Sequence, residues 1–151
     1  MNTVYISVPG HPNWARDVAD IALDIEPSEE TEVVILYVFE GDDLESTRAN
    51  LNIPESEAPY SLDELATRKS GVKAIESAIE DSPVVTRVRG IKAGNKPGKE
   101  IASLAAKDSA DRIYLFSRQR SPAGKAVFGS RPGEVLSHAS CPVVVVPFNG
   151  R

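Results

Sequence analysis

From Glu32 to Phe39 the chain reads Glu-Val-Val-Ile-Leu-Tyr-Val-Phe, apolar on both sides of the two-residue alternation that a strand imposes. A strand of this composition has no face to give to water. It fits the interior of a parallel sheet covered by helices on both sides. The flanking segments agree. Val4-Tyr5-Ile6-Ser7-Val8 is a second short run, stopped by Pro9-Gly10. Trp14, Val18, Ile21 and Ile25 then follow at helical spacing, with Asn13 as the expected N-cap and Pro27 as the stop. Beyond Phe39 the chain turns acidic and polar from Glu40 to Tyr60, which predicts a long loop with one short helix around Leu44 to Leu51. Leu62, Leu65, Val72, Ile75 and Ile79 predict a second amphipathic helix, and Val84 to Ile91 alternates as a half-exposed strand. A turn over Gly94 to Gly98 leads to a third helix lined by Ile101, Leu104 and Ala105. Ile113 to Phe116 is the fourth strand, and Ser117 to Gly129 a loop. Ser130 is the expected cap of a fourth helix with Pro132 in its first turn, closed before Pro142. Val143 to Val146 is the last strand. This alternation predicts an α/β fold with a five-stranded parallel sheet, doubly wound and Rossmann-like.

Size and charge narrow the function. A chain of 151 residues is one domain long, so residues 1–151 are expected to form a single unit. Seventeen Lys and Arg against twenty-two Asp and Glu leave a net charge of −5, which argues against a nucleic-acid coat. One cysteine forms no internal disulfide, and with two histidines it leaves little for a zinc site. No apolar run approaches the roughly 20 residues of a membrane span. The start, MNTVYISVPG, lacks a basic signal-peptide region. A soluble, cytoplasmic protein is expected.

In an open α/β sheet, ligands bind beyond the carboxyl ends of the strands. The loops of interest are therefore Pro9 to Asn13, Phe39 to Tyr60, Ala93 to Gly98 and Ser117 to Ser130. The last is the most distinctive. No acidic residue stands between Asp111 and Glu134, whereas Arg112, Arg118, Arg120, Lys125 and Arg131 do. A helix starting near Ser130 would aim free N–H groups at an anion held by this loop. The same charges are equally suited to keeping a surface loop solvated. Gly94 to Glu100 imitates a phosphate loop but has one residue too few between its glycines and Glu in place of the hydroxyl residue. His11 lies in the first loop without a metal-spaced partner; His138 sits where a helix end favours positive charge; Cys141 is expected to pack as a small apolar residue. No Gly-x-Ser-x-Gly elbow exists. No catalytic residues and no enzyme activity are expected.

The pieces taken in order resemble the universal stress protein family, nearly end to end. The opening strand with its Gly10 turn, Ala93 to Ile101, Ser109 to Phe116, and Gly129-Ser130 followed by Leu136 to Val146 are each similar to that family's segments. The resemblance implies a Rossmann-like, adenine nucleotide alpha hydrolase-like sheet. It also implies a Gly-x2-Gly-x9-Gly-Ser/Thr phosphate motif in the members that bind ATP. Counted back from Gly129, the first two glycines fall at Phe116 and Gln119, so only Gly129 and Ser130 remain. The family's Asp at the end of the first strand is Pro9 here, without a side-chain acceptor or a backbone N–H. Val38 matches the apolar position facing adenine. The residues expected around any ligand are Pro9, Gly10, Val38, Arg118, Gln119, Arg120, Lys125, Gly129 and Ser130. The family's pairing through the last strand implies a homodimer formed by Val143, Val144, Val145 and Val146; the residues alone equally allow an interior strand.

Three functions follow: a non-enzymatic stress-response homodimer with weak or no nucleotide binding, an ATP-binding switch or slow ATPase with Mg2+, or a binder of another phosphate-bearing ligand through the basic loop. Nucleic acid ranks last among ligands, the acidic balance and the 6% aromatic content giving no basic, aromatic-studded stripe.

Overall fold

The computed structural model describes residues 1–51, 60–118 and 130–148, the Ser130 side chain excepted. Five strands, β1 (Asn2–Ser7), β2 (Thr31–Phe39), β3 (Val85–Lys92), β4 (Arg112–Ser117) and β5 (Val143–Pro147), form one sheet in the order β3-β2-β1-β4-β5. Every pairing is parallel. Between the strands run α1 (Pro12–Ile25), α2 (Asp43–Asn50), α3 (Leu62–Ala66), α4 (Ser70–Ile79), α5 (Pro97–Lys107) and α6 (Ser130–His138).

The two apolar faces of β2 explain the two helical layers. Val33 and Ile35 point to one side, where Val18 of α1 and Val72 and Ile75 of α4 close a core with Val4 and Ile6. Val34, Leu36 and Val38 point to the other, against Ile101 of α5 and Val135 of α6. The doubly wound parallel sheet is thus as the sequence predicts. No helix among the described residues is long and apolar enough to cross a membrane.

Two local expectations are corrected. The predicted helix over Leu62 to Ile79 is two helices. Leu65 and Ala66 pack with Phe39 and Leu44 in a third cluster over the ends of β2 and β3, while Val72, Ile75 and Ile79 serve the core beneath α1. One straight helix cannot reach both, and the chain turns at Thr67 to Lys69 through the short bonds from Arg68 N to Leu65 O and Lys69 N to Ala66 O. Secondly, α1 is capped by His11 rather than Asn13: the His11 Nδ1 accepts from the Asn13 N–H at 3.1 Å, and Pro12 takes the first helical position.

The sheet's two edges differ. At β3 the edge is covered by α3, whose Asp63 accepts from the Gly90 N–H at 2.8 Å. The approach is so close that a Cβ at Gly90 would stand 2.3 Å from the Leu62 carbonyl oxygen. At β5 no such cover exists among the described residues. Ile113 N donates to Pro142 O and Phe148 N to Ser117 O, so the even-numbered residues of this strand turn their backbone groups toward β4. By alternation Val143 and Val145 turn theirs outward. Among the described residues β5 is therefore an edge of the sheet.

At the opposite, N-terminal end of the sheet, Glu26 is buried with a side chain 3% exposed. Its carboxylate accepts from Arg112 Nε at 2.6 Å, Arg112 Nη2 at 2.8 Å, Asn2 Nδ2 at 2.7 Å and the Tyr114 hydroxyl. Burial pushes the carboxyl upward, but these donors and the arginine charge outweigh it and hold Glu26 below its ordinary range. Arg112 is thereby fixed at the end of the sheet opposite Arg118 and Arg131, with which the sequence grouped it.

Candidate functional site

Strand order reverses at β1, which has β2 on one side and β4 on the other. A cleft of about 340 Å3 opens beyond the carboxyl ends of β1 and β2, lined by Val8, Pro9, Gly10, Tyr37, Val38, Glu40, Asp43, Pro97 and Arg131. A larger groove, about 460 Å3, lies between α4 and the start of β3. That groove is at the wrong end of the strands for this class of sheet, so the smaller cleft is the candidate site.

One wall of the cleft is apolar: Val8 and Pro9 from the end of β1, Val38 from β2 and Pro97 from the start of α5. The other carries charge in pairs. Glu40, the first residue after β2, forms an ion pair with Arg131 Nη2 in the first turn of α6. Asp43, at the start of α2, accepts from the Tyr37 hydroxyl and from Lys69 Nζ at 2.9 Å. Thr47 accepts a second bond from Lys69 at 3.3 Å and donates to the Asp43 carbonyl at 2.7 Å. The Lys69 ammonium also lies 5.3 Å from the Tyr37 ring centroid. Burial would raise the Asp43 carboxyl, but the Tyr37 and Lys69 hydrogen bonds prevail and hold it low. The Tyr37 hydroxyl is pushed well above its ordinary value, by burial first and then by its bond to Asp43. Both groups keep a fixed protonation state near neutrality, Asp43 ionised and Tyr37 neutral. They build the wall and are poorly suited to proton transfer.

The position of Arg131 is set by helix packing. Gly98 of α5 lies so near α6 that a Cβ there would be 2.5 Å from the Arg131 carbonyl oxygen and 2.5 Å from the Glu134 Cβ. The Gly98 N–H donates to Glu134 Oε1 at 2.9 Å, which ties the two helix starts together. Among the described residues no group of His, Cys, Asp and Glu side chains is placed to hold a metal ion.

Of the residues singled out in the sequence, Pro9, Gly10 and Val38 line the cleft together. Arg118 is elsewhere: its guanidinium carbon stands 5.6 Å from the Trp14 ring centroid and 5.1 Å from that of Phe148. Phe116, at the first lost glycine, stacks on Trp14 at 5.0 Å between centroids with the planes 10° apart. Gln119, Arg120, Lys125 and Gly129 lie outside the described residues. Ser130 is the first residue of α6. His11 caps α1 and faces Trp14 at 5.4 Å, and His138 is exposed in the last turn of α6. Cys141 packs beside the second core, where burial and then the charge of Asp111 push its thiol up. Sequence reasoning missed Tyr37, Glu40, Asp43 and Pro97. Their one signal was position, since each stands at a strand's carboxyl end or just past it.

The sequence matches the model of the universal stress protein family over residues 11–147. No curated protein matches it. Among solved structures, the chain is similar to the universal stress protein UspA from Lactobacillus plantarum, with a TM-score of 0.62, 18% identity, and 96% of this chain and 97% of the other covered. It is similar to a universal stress protein family protein from Arabidopsis thaliana with AMP bound, with a TM-score of 0.63, 12% identity, and 99% and 94% covered. The universal stress protein from Archaeoglobus fulgidus in complex with dAMP has a TM-score of 0.57 and 15% identity, with 97% and 98% covered. With 137 consecutive residues of its sequence matched, from 11 to 147, and the five-stranded parallel sheet in place, this chain belongs to the universal stress protein family.

Proposed function

We propose that the protein is a non-enzymatic, cytoplasmic stress-response protein that pairs as a homodimer along β5 and binds a nucleoside monophosphate weakly in the cleft at the ends of β1 and β2. The observation that carries this reading is the cleft itself, whose lining joins apolar Val8, Pro9, Val38 and Pro97 with Arg131. Such a wall suits a flat base, and a guanidinium suits one phosphate. AMP and dAMP bound to two structures of the same fold are consistent with that ligand class. Two features make the binding weak. Pro9 offers no side-chain acceptor and no N–H to a ribose. Phe116 fills with an aromatic stack a place where a triphosphate cradle needs bare backbone, which speaks against ATP and Mg2+ as the resident pair. The outward backbone of Val143 and Val145 supports the dimer, because an open apolar edge otherwise invites aggregation.

A thermal-shift series with AMP, ATP, cyclic AMP and inorganic phosphate, each with and without Mg2+, tests the ligand. The expected result is a modest rise with AMP that is independent of Mg2+. A larger, Mg2+-dependent rise with ATP would favour the switch reading instead. No rise with any nucleotide would leave a ligand-independent dimer.

A further inference from the structure

Arg131 is the cation that lines the cleft among the described residues, and it is already engaged. Its partner is Glu40, which begins no helix, pairs across 91 positions of sequence and has a side chain 50% exposed. Arg131 itself is 25% exposed and its backbone is pinned by the contact of Gly98 with α6. The other acid on this wall differs in kind: Asp43 is tied down by Tyr37 and Lys69 and has no reason to move. The cleft therefore holds one cation on a pinned backbone and one half-exposed carboxylate that can turn toward water. We propose that Glu40 is the cleft's own anion, seated on the face of Arg131 that the phosphate or carboxylate of a ligand would take, so that every anionic ligand must first displace it.

This rests on the nucleotide-binding reading of the cleft and adds a selectivity rule. A neutral nucleoside leaves the Glu40–Arg131 pair in place and is indifferent to it. A monoanionic or dianionic group exchanges one carboxylate for its own contact to Arg131 and gains only the difference. Each further phosphate meets the displaced Glu40 as a like charge nearby. The pair therefore flattens the cleft's preference for anions and turns it against highly charged ones.

The experiment is titration calorimetry of adenosine, AMP and ATP into the wild-type protein, Glu40→Gln and Arg131→Gln, with melting temperatures checking that each variant folds. Glu40→Gln should tighten AMP about threefold to fivefold, the span that a half-exposed ion pair of this kind supports, and ATP by more. Adenosine should be unchanged. Arg131→Gln should abolish any advantage of AMP over adenosine. Equal tightening of adenosine and AMP in Glu40→Gln would mean that Glu40 acts by bulk, and unchanged AMP affinity would mean that it does not compete; either overturns the proposal while the nucleotide reading stands. Absence of binding by adenosine and AMP in both the wild type and Glu40→Gln would overturn the nucleotide reading and this inference together.

Discussion

Gly98 joins the fold to the site more directly than any other residue. Nothing in its local sequence distinguishes it from an ordinary turn glycine, and Gly94 to Glu100 even imitates a phosphate loop. Its role is contact: bare backbone there lets α5 meet α6 and sets Arg131 over the cleft. Gly98→Ala should cost about 1–3 kcal/mol, as overpacking does, and should weaken AMP by moving Arg131; urea midpoints and calorimetry measure the two effects. Glu26 gives the counterpart at the far end of the sheet. Its folded-state pKa is lowered, so it contributes stability that is present above the unfolded value of about 4.3 and lost as pH falls through the lower, folded one. Glu26→Gln should lower stability by about 2 kcal/mol at pH 7 and flatten the acid side of the stability profile, as charge-assisted bonds are exchanged for neutral ones. An unaltered slope between pH 5 and 3 would show that Glu26 does not drive the acid dependence. Pro9 and Gly10 stand at a strand end where this class of sheet puts its ligand loops, and Val38 was reached through the family resemblance; all three line the cleft. The Glu40–Arg131 pair was not, since two residues so far apart in sequence share no pattern that periodicity can detect.

Among the elements, strands were the most legible part of the chain. A run such as β2, apolar on both faces, admits one environment, and both faces are indeed covered. The break between α3 and α4 was invisible for the converse reason. Leu62, Leu65, Val72, Ile75 and Ile79 keep one helical spacing throughout, and only the separate clusters they join force a turn at Thr67 to Lys69. The two edges of the sheet make a sharper contrast. β3 is blocked by α3 through Asp63 and Gly90, whereas on β5 the outward N–H of Val145 has no covering element among the described residues. Val145→Pro deletes that N–H without removing a bond to β4, so if the proposed pairing along β5 holds it should give a folded monomer in sedimentation velocity where the wild type is a dimer. Val144→Pro removes a donor to β4 and should destabilise the fold itself. A wild-type monomer at micromolar concentration would sink the pairing along β5.

At the scale of the whole molecule, the universal stress protein fold is intact, and the differences gather at the carboxyl ends of its strands. Phe116, stacked on Trp14, stands where the family resemblance puts the first phosphate-facing glycine, Pro9 stands where it puts the ribose-facing acid, and the cleft's arginine is paired with Glu40. In the function proposed above, each of these features works against a triphosphate and is compatible with a nucleoside carrying one phosphate. The most direct test is a calorimetric comparison of AMP with Mg2+-ATP on the wild-type protein at physiological salt. Weak binding of AMP is expected, with ATP no tighter and its phosphates intact after prolonged incubation. Binding of Mg2+-ATP tenfold or more tighter than AMP, or release of inorganic phosphate, would contradict it.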